Sequence, residues 1–220
     1  MKLLLTSAGI TNDSIAKALF ELVGKKPEDT TVVFIPTASN IISWNKDRLI
    51  DDLINLQKQN FWSIEITDIS AVDEEIWRPS IERADIIYFE GGGNYYLMRW
   101  IYKSGLSDIL PTLLKDKVYV GVSAGSMVTN PSILSSITQI IYEEDLRETE
   151  DINALHMVDF YILPHLNSER FPNVRKECIE KIADSIDKTI YALDDNTALK
   201  IIDKTVDIVS EWEYILIHKT

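Results

Sequence analysis

A single cysteine in 220 residues, Cys178, excludes a disulfide framework and leaves too few thiolates for a metal cluster, so neither a metal nor another cofactor is expected. Val174, Ile179, Ile182 and Ile186 recur around it at helical spacing, which makes it a packed core thiol. Positive charge is also in short supply: 22 basic against 35 acidic residues give −13 at neutral pH, which opposes binding to nucleic acid or to anionic membranes. A small peptide is the expected partner, and a substrate carrying a carboxylate would need local positive charge to overcome that field. No apolar run approaches membrane-spanning length, and Leu3-Leu4-Leu5 is too short for the core of an export signal, so a reducing, cytoplasmic setting is expected. Repeats, low-complexity runs and linker-like segments are missing as well. With 45% hydrophobic residues the chain can bury one large core, and one domain over residues 1–220 is expected.

What is present is an alternation of short apolar strands with amphipathic helices. Strands are expected at 2–6, 31–35, 62–66, 85–89 and 118–122, with helices at 15–23, 44–59, 95–103 and 106–115 and a helical stretch at 72–83 broken by Pro79. Asn12, Asp13 and Ser14 offer caps for the first helix, and Gly24 stops it. This order means parallel strands joined by right-handed crossovers. Further strands are expected at 137–142, 159–163 and 189–193, with an acidic loop at 143–145. The segments 198–202, 206–209 and 214–217 then form an antiparallel meander that finishes the sheet. The fold class is α/β with a mostly parallel sheet.

The strand at 118–122 runs into Gly121-Val122-Ser123-Ala124-Gly125, the pattern of a nucleophile elbow. In such a turn the strand reverses into a helix and the serine hydroxyl stands exposed at the tip, while side chains at Gly121 and Gly125 would collide with neighbouring backbone. The competing reading is a tight turn with a capping serine. A serine hydroxyl is a weak nucleophile alone, so a base, an orienting acid and oxyanion donors are required. Of three histidines, only His165 directly follows the carboxyl end of an expected parallel strand, on the edge that carries Ser123. It is the expected general base. Asp194 and Asp195 follow another strand at that edge, and Asp195 is the preferred acid, with Asp194 and Glu90 as alternatives. Glu90-Gly91-Gly92-Gly93-Asn94 lacks the lysine of a phosphate-binding loop and the spacing of a dinucleotide fingerprint. Its bare amides suit an oxyanion hole, formed by the N–H of Ala124 with that of Gly92 or Gly93.

Four segments taken together, Phe89 to Asn94, Gly121 to Ser126, Pro164-His165-Leu166-Asn167 and Leu193 to Ala198, resemble in order and rough spacing the peptidase E (aspartyl dipeptidase) family and its relative cyanophycinase. The resemblance implies a three-layer sandwich similar to class I glutamine amidotransferases, with serine where those use cysteine. It implies a serine dipeptidase acting on peptides with N-terminal Asp, through an acyl-enzyme on Ser123 with His165 as base. A basic group for the substrate carboxylate is then needed, and Arg170 and Arg175 lie nearest to His165 in sequence, with Asn94 of the glycine motif as a further substrate contact. The chain departs from the family at one point: peptidase E carries a triad aspartate between its serine and histidine, whereas an ungapped count reaches Thr138, in a stretch without acids. A cyanophycinase-like or other amide hydrolase, or a non-catalytic small-molecule-binding domain on the same fold, are the alternatives.

Overall fold

The computed structural model of the chain describes residues 1–43, 45–144 and 147–218. Five parallel strands form the centre: β1 (Lys2–Thr6), β2 (Thr31–Ile35), β3 (Ser63–Ile66), β4 (Ile86–Phe89) and β5 (Val118–Val122). Between them run α1 (Asp13–Val23), α2 (Asp47–Lys58), α3 (Glu74–Arg83), α4 (Asn94–Lys103) and α5 (Leu106–Leu113). After β5 come a four-residue helix α6 (Ala124–Met127), the short pair β6 (Ser132–Ile133) and β7 (Ile152–Asn153), then β8 (Tyr161–Leu163), α7 (Lys176–Ala183), β9 (Ile190–Leu193), β10 (Thr197–Ile202), β11 (Thr205–Ser210) and β12 (Tyr214–Ile217). The main sheet has the order β11-β10-β1-β5-β4-β2-β3, parallel from β1 to β3, with β10 and β11 antiparallel at one side.

Strand periodicity divides the core into two layers. Leu4, Val32, Phe34, Ile86 and Val120 face α1 and α2, whose Ile15, Leu19, Leu22 and Leu56 cover them. Leu3, Leu5, Val33, Ile35, Ile87 and Phe89 face α3, α4 and α5 through Trp77, Ile81, Leu97, Met98, Ile101 and Leu110. Helices on both faces of a buried parallel sheet give the mixed α/β sandwich that the alternating pattern implies. α1 begins and ends as its sequence dictates: the Asn12 side chain accepts from the Ile15 N–H, and Gly24 closes the helix at φ 71°.

Four expectations fail for identifiable reasons. α3 passes through Pro79 without a break, because Pro79 and Glu75, whose carbonyl loses its helical partner, are both exposed to water. Residues 137–142 are not a strand: Ser136–Ile141 is a wide π-type helical turn, and Ile137 and Ile141, spaced four apart, are buried on one face. β8 and β9 do not join the main sheet. They pair parallel to each other in a separate three-stranded sheet, and β12 leaves the terminal hairpin to pair antiparallel with β9. The helix expected over 44–59 is observed as α2, Asp47–Lys58; Trp44 and Asp145, which the expected helix and acidic loop include, lie outside the described residues. No helix among the described residues is long and apolar enough to cross a membrane.

Candidate active site

β5 lies between β1 and β4, so its carboxyl end meets theirs at one rim. There Ser123 adopts φ 48° and ψ −109°, a strained conformation outside the ordinary regions for an L-residue. The turn closes only because two positions lack side chains. A Cβ on Gly121 would lie 2.5 Å from the Gly125 carbonyl oxygen, and one on Gly125 would lie 2.2 Å from that of Phe89. The Ser123 N–H donates to Thr6 O at 3.2 Å, and the Ser126 hydroxyl donates to Thr6 O and Gly121 O, pinning the elbow to its neighbours.

His165 and Asp195 reach this rim from the smaller sheet. β8 and β9 run parallel, so the residues after them emerge together, and the Leu166 N–H donates to Leu193 O at 2.9 Å. β10 runs antiparallel to β1, so the turn before it returns Asp195 to the carboxyl end of β1. The result is a hydrogen-bonded line: Ser123 Oγ lies 2.9 Å from His165 Nε2, and His165 Nδ1 lies 2.6 Å from Asp195 Oδ1. An ionised carboxylate only accepts, so Nδ1 carries the proton and Nε2 presents its lone pair to the serine hydroxyl. The imidazole is 1% exposed and stacks on Phe171 at 4.5 Å between ring centroids.

Each charge state follows from its surroundings. Burial lowers His165 below the ordinary imidazole value; Asp195 pulls the other way, and the Arg48 and Arg170 charges add to the lowering. His165 is therefore favoured in its neutral form, the form in which an imidazole can accept a proton. Asp195 is pushed up by burial, but its bond to His165, the bond from the Ser7 hydroxyl and the Arg48 charge outweigh that and hold it below the usual carboxylate value.

Asp194 and Glu90 do other work. Asp194 Oδ1 accepts from the Asn196 N–H and the Thr197 hydroxyl, and its Oδ2 accepts from the Glu213 N–H, so it shapes the turn. Glu90 is paired with Asp52 of α2 rather than with His165. Burial raises both carboxyls, Asp52 to about 7 and Glu90 well above its usual range. Thr138 donates only to the carbonyls of Leu134 and Ser135 in its own helical turn.

Two of the glycine-loop expectations require correction. The Gly93 N–H is spent on Ala38 O at 3.0 Å and cannot serve as an oxyanion donor. Among the described residues the Gly92 N–H has no such partner, and Gly92 lines the cavity beside Ser123. Ala124 is the first residue of α6, so its N–H has no partner within the helix. Asn94 is not a wall of the cavity: it is 2% exposed and opens α4.

Ser123 opens onto a cavity of about 380 Å³ lined by Arg48, Asp52, Glu90, Gly92, Arg170 and Phe171 among others. Arg170 belongs to this wall, whereas Arg175 is committed to the carbonyls of Ser168, Phe171 and Val174. Arg48 was not legible as a site residue. It sits in the first turn of α2, its guanidinium 5.3 Å from the Phe171 ring centre and its Nη1 3.3 Å from His165 Nε2. Ser7 was also missed: its hydroxyl donates to Asp195 Oδ1 at 2.9 Å and accepts from the His165 N–H at 2.7 Å. Its position directly after β1, at the active edge, was the available signal. Among the described residues no group of three or more His, Cys, Asp or Glu is placed to hold a metal ion.

A mostly parallel sheet that delivers a serine through a strained turn to a cavity, with a histidine and an aspartate hydrogen-bonded behind it, defines a hydrolase-type α/β protein. The chain belongs to peptidase family S51, which matches it over residues 3–209. It is 27% identical over 184 residues to an uncharacterized peptidase of Pasteurella multocida, covering 81% of this chain and 84% of that one. With peptidase E of Actinobacillus pleuropneumoniae it shares 26% identity over 193 residues, 85% of this chain and 76% of the relative. The crystal structure of a candidate peptidase E protein from Listeria monocytogenes EGD-e matches with a TM-score of 0.74 at 26% identity, over 100% of this chain and 98% of that chain.

Proposed function

We propose that this peptidase is of the serine type and hydrolyses small peptides, dipeptides with N-terminal Asp in particular, through an acyl-enzyme on Ser123. The observation that carries the reading is the line from Ser123 Oγ to His165 Nε2 and from His165 Nδ1 to Asp195 Oδ1, at the wall of a cavity. In the first step Ser123 Oγ attacks the scissile carbonyl carbon while Nε2 takes its proton. Asp195 holds the imidazole in the required tautomer and stabilises the imidazolium. The negative oxygen of the tetrahedral intermediate is met by the N–H groups of Ala124 and Gly92; one such donor is worth about 2.7–4 kcal/mol. His165 then protonates the leaving amine, the C–N bond breaks, and water repeats the sequence to release the acid.

The preference for Asp rests on charge. In a protein of net charge −13, two guanidiniums, Arg48 and Arg170, line one cavity beside Phe171, at 5.3 and 5.7 Å from its ring centre. Guanidinium groups suit a carboxylate through paired N–H donors. The test is incubation with Asp-containing dipeptides and with β-aspartyl-arginine, using Ser123→Ala as control. Release of free Asp from α-dipeptides by the wild type alone is expected, with a covalent adduct on Ser123. Cleavage of β-aspartyl-arginine alone would reassign the bond. No turnover and no adduct would leave a binding domain.

A further inference from the structure

The cavity that holds Ser123 has a second chemistry in its wall that the hydrolytic steps do not use. Asp52 and Glu90 both line it, and they are only 5% and 3% exposed. Glu90 leads directly into Gly91, where a Cβ would lie 3.1 Å from that of Ser123, so the backbone that carries this carboxyl packs against the serine, and both line the same cavity. No donor from the described residues reaches Glu90 Oε2, and the fully buried Tyr88 hydroxyl beneath is likewise without a partner. Asp52 and Tyr88 close on one point: a Cβ on Gly9 would meet Asp52 Oδ1 at 2.2 Å and the Tyr88 hydroxyl at 2.9 Å. Buried polar atoms are rarely left without partners, so a hydrogen must come either from one carboxyl to the other or from something that enters the cavity.

The Arg48 charge lowers both carboxyls, but burial outweighs it, and among the described residues neither carboxyl makes an ion pair. Lys46 donates to Ser39 O, and Arg48 is turned toward His165 Nε2 and Phe171. Burial and mutual repulsion keep Glu90 protonated and leave Asp52 titrating near neutrality, so the pair carries at most one negative charge. One negative charge beside an unpartnered carboxyl oxygen, Glu90 Oε2, and an unpartnered hydroxyl, Tyr88, matches one ammonium group with three N–H donors. The geometry of a peptide adds the location. An α-nitrogen lies only about 2.5 Å from its own carbonyl carbon, because one Cα separates them. When that carbon stands at Ser123 Oγ, a free amino terminus must lie in the immediate neighbourhood of the nucleophile, where Gly91 and Glu90 are.

We propose that the Asp52–Glu90 carboxyl pair binds the α-ammonium group of the substrate, so that the chain acts only on the residue at a free amino terminus. The inference rests on the peptidase reading above and deepens it. Arg48 and Arg170 take the side-chain carboxylate, the pair takes the amine, and the scissile carbonyl is held between two opposite charges. The pair touches substrate but takes no part in bond making.

Calorimetric titration of Ser123→Ala with Asp–Ala, N-acetyl-Asp–Ala, succinyl-Ala (which lacks the amine) and Ala–Ala tests it without turnover. The free-amine peptide is expected to bind about 100-fold more tightly than its acetylated or amine-free counterpart. Adding Glu90→Gln or Asp52→Asn to Ser123→Ala should weaken Asp–Ala toward the level of N-acetyl-Asp–Ala and bring that ratio close to one, with circular dichroism confirming the fold. Equal binding of Asp–Ala and succinyl-Ala to Ser123→Ala overturns the proposal whether or not the double variants fold. So does a ratio that survives both carboxyl substitutions, or a failure of every peptide to bind. If Ala–Ala binds as well as Asp–Ala with the same dependence on its amine, the preference for Asp falls and the amine site stands. If wild type cleaves N-acetyl-Asp–Ala as readily as Asp–Ala, the amine site falls alone.

Discussion

Asp195, behind His165, and Asp52, in the wall of the cavity that Ser123 also lines, carry the same functional group, yet their surroundings assign them opposite states. Asp195 stands behind His165, at a strand-end turn that supplies donors: the imidazole Nδ1–H at 2.6 Å and the Ser7 hydroxyl at 2.9 Å on a single oxygen. Its ionised form is favoured despite partial burial. Asp52 comes from the buried face of α2 and meets another carboxyl, so its ionised form is disfavoured. Donors and burial, rather than residue type, decide which acid is held ionised beside the imidazole and which is pushed toward its neutral form.

The largest effect should come from breaking the charged member. Asp195→Asn is expected to lower kcat by about 10⁴-fold, because an amide no longer enforces the tautomer that presents Nε2 to Ser123. Asp52→Asn should act mainly on KM for peptides with a free amine. Steady-state kinetics on both variants check this, and similar kcat losses in the two would erase the distinction.

Stability against pH sharpens the same contrast. Asp52 binds its proton more tightly in the folded state, at about 7, than an unfolded Asp does, so the protein loses stability as pH rises from about 4 through about 7. Asp52→Asn removes its share of that slope and leaves the share of Glu90, which is raised in the same direction, so the variant gains stability over the wild type toward high pH. Asp195 has the opposite sign: its value is lowered on folding, so its stabilisation is present above the unfolded carboxylate value and fades as pH falls through the folded one. Denaturant melts at several pH values would show the wild-type and Asp52→Asn curves diverging toward high pH; parallel curves would contradict the assignment.

How much of this was legible depended on whether a signal was local. The strands from β1 to β5 and the turn at Ser123 announce themselves in runs of a few residues, because β-branched stretches and paired glycines are short-range constraints. The position of His165 at a strand's carboxyl end was equally readable, even though its strand belongs to a different sheet from the one expected. Choosing among Asp194, Asp195 and Glu90 was harder, because all three end strands at the same rim and only the hydrogen bonds separate them. Arg48 gave no sign at all: an arginine in the first turn of a helix reads as solvated, and its approach to His165 is made by packing across 117 positions of sequence. Gly93 and Asn94 were misplaced for the converse reason, since a motif names the loop but not which of its amides the neighbouring Ala38 consumes.

Ser7→Ala probes how firmly the ionised side is held. Its hydroxyl is one of two donors to Asp195 Oδ1, and its oxygen also anchors the His165 backbone. A hydrogen bond to a charged group contributes about 1.5–3 kcal/mol, and the remaining donor from His165 retains part of the geometry, so kcat should fall about tenfold. Loss as large as that of Asp195→Asn would mean that Ser7 does more than steady the acid.

The smallest effect isolates the cations facing the imidazole. In resting Ser123→Ala, nuclear magnetic resonance should find His165 titrating on the acid side of an ordinary histidine, with burial as the main cause and the Arg48 and Arg170 charges adding to it. Arg48→Met removes one of those charges and the N–H that faces Nε2 at 3.3 Å, so the midpoint should rise. It should still remain below that of a free imidazole, because the ring stays buried against Phe171. A folded state that binds this proton less tightly than the unfolded chain loses stability as pH falls below about 6.5, and that acid-side loss should be milder in Arg48→Met. A midpoint that does not move would mean that the guanidinium, though close, is screened from the ring.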